Sequence, residues 1–487
     1  MANYVKTTRL DLNRIKIDSD LDVVLFANED VPIDRASIQE IATILEIDAT
    51  INSLNRLDFF GDYPAKLHRS VLTPDFHKGP GIPVGTVLDA DGFVLPRTAG
   101  TDIGCGMRLI TTTMTHDDFN RCENLDNILR HSFFEGGRDI PFDEAGRTSM
   151  LREGIIGLKS LDIGIWRHID MNQVINELDR THHAGSWPTN DHWMFDDYIK
   201  GSGGISRDSA IGSIGGGNHF TEIQYVEECL DKNTCREWGI REGMITIMAH
   251  TGSVGLGSTV GDHFINQSRK IHPSSIKMPA HAYHPLPTIG PLAAEGYAYL
   301  SAMGLAANFA TVNRLMLGAM TLKCLSESLN KKVHGKLVYD APHNLVWSDG
   351  QKHLHRKGAT PAECDCLDPI FPTGHPVIVP GSMGDASYVL KGHGNVASLC
   401  SAPHGAGRLA ARGFGRKASS DEIQTIRMVT KVDLNRIRKD IADEYRKDLM
   451  EEAPSQYKPI LPVIDTVSDA GIASPVARLR PLLTIKG

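Results

Sequence analysis

The chain has 487 residues, a formal net charge of −8, 41% hydrophobic and 23% charged residues, which suits a globular protein of roughly two to four domains or one large enzyme fold. That charge argues against coating nucleic acid by charge alone, although a local basic groove is compatible with it. No apolar run reaches membrane-spanning length and Met1-Ala-Asn-Tyr-Val-Lys6 lacks the apolar region of a signal peptide, so the expected location is the cytoplasm.

Along the chain, Ser37-Ile-Gln-Glu40 has the form of a capping box, which predicts a helix opening there with Ile38, Ile41 and Leu45 on one face. Residues 108–114 read as a strand. Residues 117–200 are charged, lack glycine-rich motifs and read as a peripheral subdomain; no linker or repeat divides the rest of 1–487. Three short apolar strands each lead into a histidine: 212–218 into His219, 244–249 into His250 and 337–342 into His343. Rigid sheets present functional groups on the loops at strand ends, so these runs predict a site gathered from across the sequence. Residues 291–329, rich in Ala, Leu and Met, predict one or two buried helices. The eight cysteines lack the spacing of a disulfide framework, and Cys364 and Cys366 read as two reduced thiols. Residues 433–452 predict a charged amphipathic helix whose charges form a solvated face. The pattern is that of an α/β or α+β enzyme.

Asp102-Ile-Gly-Cys105 sets a carboxylate and a thiolate three residues apart, with a glycine between, so that both can turn toward one cation. One thiolate can also bridge two metals. With His219, His250 and His343 the set becomes a mixed Asp/Cys/His shell suited to Mn, Fe, Co or Zn, among which ligand identity does not choose. The loops Asp75–Gly81, Gly252–Gly257 and Pro380–Ser387 offer backbone N–H groups or hydroxyls to phosphate, although ordinary tight turns account for such runs equally well. The nucleotide motifs G-x-x-x-x-G-K-S/T, G-x-G-x-x-G and Lys-x-Asp-Gly are missing. In Ser401-Ala-Pro-His404-Gly405-Ala406-Gly407-Arg408 the small residues admit a ligand close to the backbone, and the arginine fork suits phosphate. A neutral His404 between them can attack a phosphoryl group and hold it covalently. A satisfied histidine beside a tight turn is the plainer alternative.

Nine segments in order resemble the RtcB family of RNA-splicing ligases, from roughly residue 70 to the last residue. They are Asp75-Phe-His77, Gly100-Thr-Asp102-Ile-Gly-Cys105-Gly-Met107, Gly215-Gly-Gly-Asn218-His219-Phe-Thr-Glu222, His250-Thr-Gly-Ser253 and Pro342-His343-Asn344. They continue with His355-Arg-Lys-Gly-Ala359, Pro380-Gly-Ser-Met-Gly384, His404-Gly-Ala-Gly-Arg408 and Ile485-Lys486-Gly487. The resemblance implies an α+β fold of the RtcB type: a compact core with mixed sheets around a deep two-metal cleft, in a single catalytic domain spanning 1–487. It implies joining RNA ends bearing a 2′,3′-cyclic phosphate or 3′-phosphate to 5′-hydroxyl ends with GTP and two Mn(II) ions, in RNA repair or tRNA splicing. Cys105 would bridge the two metals, with Asp102 and His219 completing one site and His250 and His343 the other. His404 would be the guanylylated nucleophile. The guanosine and its phosphates would lie among Asn218, His219, Phe220, Thr221, Glu222, His343, Asn344, Pro380, Gly381, Ser382, Met383, Ser387, His404, Gly405, Ala406, Gly407 and Lys486. Tyr457 would touch the base or ribose, and Glu222 below the guanine edge would favour G over A. The resemblance leaves open the natural RNA, an activating protein partner and the oligomeric state.

Arg356 and the cluster Arg408, Arg412 and Arg416 are candidates for phosphate contacts along an RNA path, with surface charge as the alternative. Two positions depart from the family pattern. The loop His-x-Gly-Ser-Arg-Gly after the metal histidine here carries Val254, and the usual serine-arginine pair after Arg408 is Ala411-Arg412. A lost charge-assisted phosphate contact is worth about 1.5–3 kcal/mol. Guanylylation is therefore expected to persist while end specificity narrows. The alternatives are an enzyme that guanylylates RNA 3′ ends but seals weakly, and a non-catalytic RNA-end-binding protein.

Overall fold

The computed structural model describes residues 5–138, 140–160, 169–190, 195–200, 206–207, 210–277, 279–410, 422–423, 425–432 and 439–487. β-Branched and apolar runs supply its main strands. These are β1 (Thr7–Arg9), β2 (Arg14–Ile17), β3 (Asp22–Phe26), β4 (Lys66–His77), β5 (Val84–Asp91), β6 (Gly106–Thr115), β7 (Phe220–Cys229), β8 (Met244–Thr251) and β9 (Gly335–Pro342). They continue as β10 (Asn344–Asp349), β11 (Lys352–Lys357), β12 (Ala359–Pro361), β13 (Pro376–Val379), β14 (Ser387–Gly392), β15 (Ser401–Pro403), β16 (Met428–Thr430) and β17 (Ala473–Lys486). The first sheet has the order β1-β2-β3-β4-β5-β11-β10, and the second β9-β6-β8-β7-β17-β14-β13 with β16 beside β17. Neighbours are antiparallel except for β3/β4 and β16/β17. With the helices packed on these sheets, the fold is α+β, as expected.

Helix α1 (Arg35–Asn55) crosses between β3 and β4 and buries Ile41, Ile44, Ile47, Ile51 and Leu54, while Ile38 and Leu45 are half-buried. The expected capping box at Ser37 does not form. Asp34 is still extended (φ −80°, ψ 132°), so the helix starts ahead of Ser37, whose buried hydroxyl donates to Asp34 Oδ2 at 3.3 Å. Glu40 instead accepts the N–H of Gly79 at 2.8 Å. The apolar stretch near 300 forms one helix after α2 (Val254–Ile271): α3, Ala293–Leu329, is 37 residues and roughly 55 Å long. Its side chains are buried almost all round from Ala302 to Thr321, as an apolar helix surrounded by other elements must be. In the stretch 117–200, helices Leu125–Phe134 and Glu144–Glu153 pack on α3; 161–168 and 191–194 lie outside the described residues. Near the C-terminus, α4 (Lys439–Met450) covers part of the expected charged helix, of which 433–438 lie outside the described residues, and α5 (Ile460–Asp469) follows.

Antiparallel pairing brings distant segments to one end of the second sheet. Met107 and Phe220 both pair with His250, Gly106 pairs with Pro342, and Thr221 pairs with Ile485. His343 alone separates β9 from β10, so the chain steps there from the second sheet to the first. One expectation fails here. Residues 212–218 are not a strand, because Gly212, Gly215 and Gly217 turn with φ of 69°, 85° and 72°, and His219 precedes β7 instead of ending a strand.

Below this end lies a buried charge cluster. Asp340, fully buried, takes Arg108 Nη1 at 3.2 Å and Arg314 Nη2 at 2.8 Å, and Arg314 also donates to the carbonyls of Gly104 (2.6 Å) and Thr251 (3.1 Å). Removing the carboxylate would leave two buried guanidinium groups uncompensated. Asp340→Ala is therefore expected to lower the unfolding free energy in urea by about 3–5 kcal/mol. A loss below about 1 kcal/mol would mean that the two arginines relax to solvent or to other acceptors.

Candidate active site

Each strand end delivers one side chain to the same place. Cys105 Sγ lies 3.1 Å from His219 Nε2 and 3.3 Å from His250 Nε2. His219 Nε2 is 3.2 Å from Asp102 Oδ2, and His250 Nε2 is 3.3 Å from His343 Nε2. Cys105 thus stands in the middle, with Asp102 and His219 on one side and His250 and His343 on the other. Gly106 is needed for this approach, because a Cβ there would lie 2.5 Å from the Ala341 carbonyl oxygen. Burial, then the charges of neighbouring histidines, keeps the pKa values of His250 and His343 well below the usual range, so both imidazoles are neutral. Burial and the Asp102 carboxylate raise the Cys105 thiol well above its ordinary value.

The donors fit a divalent metal. Bonds of 2.0–2.3 Å in tetrahedral geometry require ligand separations of roughly 3.3–3.8 Å, close to those observed. Neutral imidazoles, a thiol that a cation would convert to thiolate and a half-exposed carboxylate are the mixed set that borderline metals take.

His404 follows β15 directly. Its Nδ1 lies 2.7 Å from Asp75 Oδ2, which also accepts the His404 backbone N–H at 3.2 Å, while the Thr73 hydroxyl donates to Asp75 Oδ1 at 2.5 Å. Burial works against charge on Asp75, but the His404 hydrogen bond and charge and the Thr73 hydroxyl outweigh it and hold the carboxyl below its ordinary range. A carboxylate at Nδ1 fixes the tautomer that leaves the lone pair on Nε2. Gly407 makes the pairing possible, since a Cβ there would sit 2.0 Å from the Asp75 carbonyl oxygen. The His404 ring lies 4.7 Å from that of His343, which links the nucleophile candidate to the metal donors. His77 stacks on His404 at 6.3 Å, and burial pushes its pKa down to about 3, so it adds no charge.

These groups open onto a cleft of about 600 Å³. Its wall holds Asn218, Phe220, His343, Asn344, Pro380, Gly381, Ser382, Met383, Gly405, Ala406, Gly407, Tyr457 and Lys486 together with His404, Asp102, Cys105 and His250. Thr221, Glu222 and Ser387 stand behind the wall. Buried Glu222 accepts from Thr484 Oγ1 (2.6 Å) and Gln224 Nε2 (2.7 Å); Gln224 also reaches Ser387 Oγ (3.1 Å), which accepts the Gly381 N–H (3.3 Å).

Two expectations change. Arg356 is 1% exposed, bonded to Ser401 Oγ (2.9 Å) and the Cys400 carbonyl and stacked on Trp347, so it cannot contact RNA from the surface. The expected phosphate loop Gly252–Gly257 runs into the first turn of α2 and does not line the cleft. Arg408 does line it, ion-paired with Glu451 and Glu452; Arg412 and Arg416 lie outside the described residues.

A family model described as tRNA-splicing ligase RtcB matches residues 60–487. The chain belongs to the RtcB family. Among its relatives, the tRNA-splicing ligase RtcB of Thermococcus kodakarensis is 32% identical over 86% of this chain and 87% of its own length. That of Aeropyrum pernix is 30% identical over 86% and 88%, and the RNA-splicing ligase RtcB of Mycobacterium tuberculosis 30% over 87% and 98%. The role that goes with the RtcB family is RNA ligation, with RNA as substrate. No helix among the described residues is long and apolar enough to cross a membrane.

Two features of this RtcB-family site escaped the sequence. Asp75 read as part of a phosphate loop, yet its carboxylate is committed to His404 across 329 residues, a separation that no local spacing reveals. The Arg314–Asp340 pair joins a stretch that read as buried helix to a strand that read only as the lead into His343. A cheaper signal did exist: Asp75 and His77 stand at the end of an apolar strand, as the three metal-candidate histidines were expected to.

Titration with Co(II), followed by absorbance, tests the donor set. Wild type is expected to develop a thiolate-to-metal charge-transfer band that Cys105→Ala lacks, and His250→Ala is expected to weaken binding at least about tenfold. An unchanged band in Cys105→Ala would remove the thiol from the shell. Glu222 offers a second test. Burial raises its pKa from 4.5 to about 7, so its contribution to stability is full below pH 4.5 and is lost as pH rises through 7. Between pH 4 and 8 the stability of wild type relative to Glu222→Gln is expected to fall by roughly 3 kcal/mol in thermal or urea unfolding; parallel pH profiles would show that Glu222 titrates normally.

Proposed function

We propose that this chain is a GTP- and Mn(II)-dependent RNA ligase that joins 3′-phosphate or 2′,3′-cyclic phosphate ends to 5′-hydroxyl ends through a guanylylated His404. The observation that carries this reading is the Asp75–His404 pair, which leaves His404 Nε2 as a nucleophile at the edge of a cleft lined with metal donors. Nε2 attacks the α-phosphorus of GTP; an N–P bond forms, the bond to pyrophosphate breaks, and Asp75 stabilises the positive imidazole by holding its Nδ1 proton. The RNA 3′-phosphate then attacks the same phosphorus, the N–P bond breaks, and His404 leaves as neutral imidazole. Finally the 5′-hydroxyl oxygen attacks the 3′-phosphorus, its proton passes to solvent, and GMP departs as the strand is sealed. A cyclic end must first be opened by water. Metal ions held by Asp102, Cys105, His219, His250 and His343 would supply Lewis-acid stabilisation of charge on the phosphoryl oxygens.

The wall from Asn218 to Lys486 would hold guanosine and its phosphates. Glu222, ionised when guanine is present, would accept from N1–H and the amino group and select G over A. On this reading residues 1–487 act as one catalytic unit with 117–200 at its periphery, and the cytoplasm is its place of work.

Incubation with GTP labelled at the α-phosphate and Mn(II) tests the step that defines the reading. Acid-labile, alkali-stable label is expected on wild type and not on His404→Ala. Asp75→Asn is expected to slow labelling by roughly 10²–10⁴-fold, since the amide no longer fixes the tautomer or the charge. No label under any divalent metal would sink the guanylylation mechanism.

A further inference from the structure

Part of the cleft wall has no role in the chemistry above. It is built by the short helix Pro96–Ala99 and by the end of β11 at Lys357. The helix stops at Gly100 (φ 63°), and Arg97 and Thr98 both line the cleft just before Asp102. Thr98 is 1% exposed and its Oγ1 has no hydrogen-bond partner. Arg97 Nε is likewise buried and unpartnered, and the guanidinium forms no ion pair among the described residues. Lys357 Nζ donates to the Ile82 carbonyl and the Tyr283 hydroxyl, both at 2.9 Å, which leaves one of its three N–H groups. Burial, assisted by the charge of Arg97, lowers the Lys357 pKa to about 7. Glu40 acts on Lys357 at a distance, but its carboxylate accepts the Gly79 N–H and pairs with neither cation. Two like charges beside an idle buried hydroxyl are costly unless an anion comes between them.

We propose that Arg97 and Thr98, with the free N–H of Lys357, form the oxyanion subsite for the phosphate on the RNA 3′ end, and that this subsite favours a 3′-phosphate over the cyclic diester. The inference rests on the ligase reading for the identity of the anion. A guanidinium fork takes two oxygens of one phosphate, and the hydroxyl and ammonium reach a third. A terminal phosphomonoester offers three oxygens and nearly two charges at neutral pH, whereas a cyclic diester offers two free oxygens and one charge. The segment Pro96–Ile103 packs on the first turns of α2, where Gly257 and Gly261 admit it: Cβ atoms there would lie 2.8 Å from Thr101 O and 2.3 Å from Gly100 O.

The test is fluorescence anisotropy on the full chain with Mn(II) and no GTP. The probes are one oligoribonucleotide ending in 3′-phosphate, 2′,3′-cyclic phosphate or 3′-hydroxyl. Wild type is expected to prefer the 3′-phosphate over the 3′-hydroxyl at least about tenfold, with the cyclic end between them. Arg97→Met should bring all three within about twofold, Thr98→Val should cut the preference several-fold, and Arg97→Lys should restore part of it. A wild type without preference, or an Arg97→Met protein that keeps it, overturns the proposal; a lower melting temperature with preference intact makes Arg97 structural only. No turnover is needed, so failed labelling of His404 with the preference present would overturn the ligase reading and leave the subsite standing.

Discussion

Arg314 is fully buried in α3, and its guanidinium reaches Asp340, the carbonyl of Gly104 and the carbonyl of Thr251 together. Those three partners belong to β9, to the turn before β6 and to the end of β8. They adjoin His343, Cys105 and His250 respectively. A single planar cation with five donors therefore sets the relative position of three strand ends, and with them three of the five metal donors. A buried ion pair is weak evidence of net stability, because desolvation offsets its Coulombic gain. Its value here is registry: an apolar side chain could fill the space but could not hold two carbonyls and a carboxylate in fixed directions.

The cleft above that cluster follows one electrostatic rule. Charges that the chain can satisfy internally are satisfied: Asp75 by His404 and Thr73, Arg408 by Glu451 and Glu452. Of the groups that a cation would meet, Asp102 brings the negative charge, while burial suppresses protonation of His250 and His343 and ionisation of Cys105. Arg97 and Lys357 add positive charge to the wall, and neither forms an ion pair among the described residues. Fixed, largely buried groups arranged in this way strengthen whatever electrostatic contact a ligand completes.

Much of this was legible wherever the signal was local. The strand over 108–114, the apolar run that became α3 and the convergence of His250 and His343 with Cys105 follow from periodicity and from small residues at strand ends; His219 joins them from a turn that was expected to be a strand. The failures are of a different kind. Ser37 matched a capping box by spacing, but an extended Asp34 just ahead of it claimed the helix start. Arg356 read as a cation for RNA, yet its guanidinium stacks on Trp347 and bonds Ser401 within the fold. Residues 212–218 looked extended, but glycine allows positive φ at little cost and turned the segment. In each case a partner distant in sequence, or a backbone freedom that composition does not express, decided the outcome.

Val254 shows how a strained residue is held in place by what flanks it. Its φ of 51° is left-handed, a conformation that a β-branched residue adopts at a cost of roughly 1–3 kcal/mol. The strain persists because both flanks are held: the Ser253 hydroxyl donates to the Ile103 carbonyl at 2.5 Å, and Gly257 packs on the Thr101 carbonyl. Those contacts also fix the turn that carries Asp102 and Cys105. The side chain at 254 can therefore vary while the turn, and the donors it orients, stay in place. The arginine nearest in sequence to the turn of Asp102 and Cys105 on the cleft wall is Arg97, which the same packing of Pro96–Ile103 on α2 holds in place.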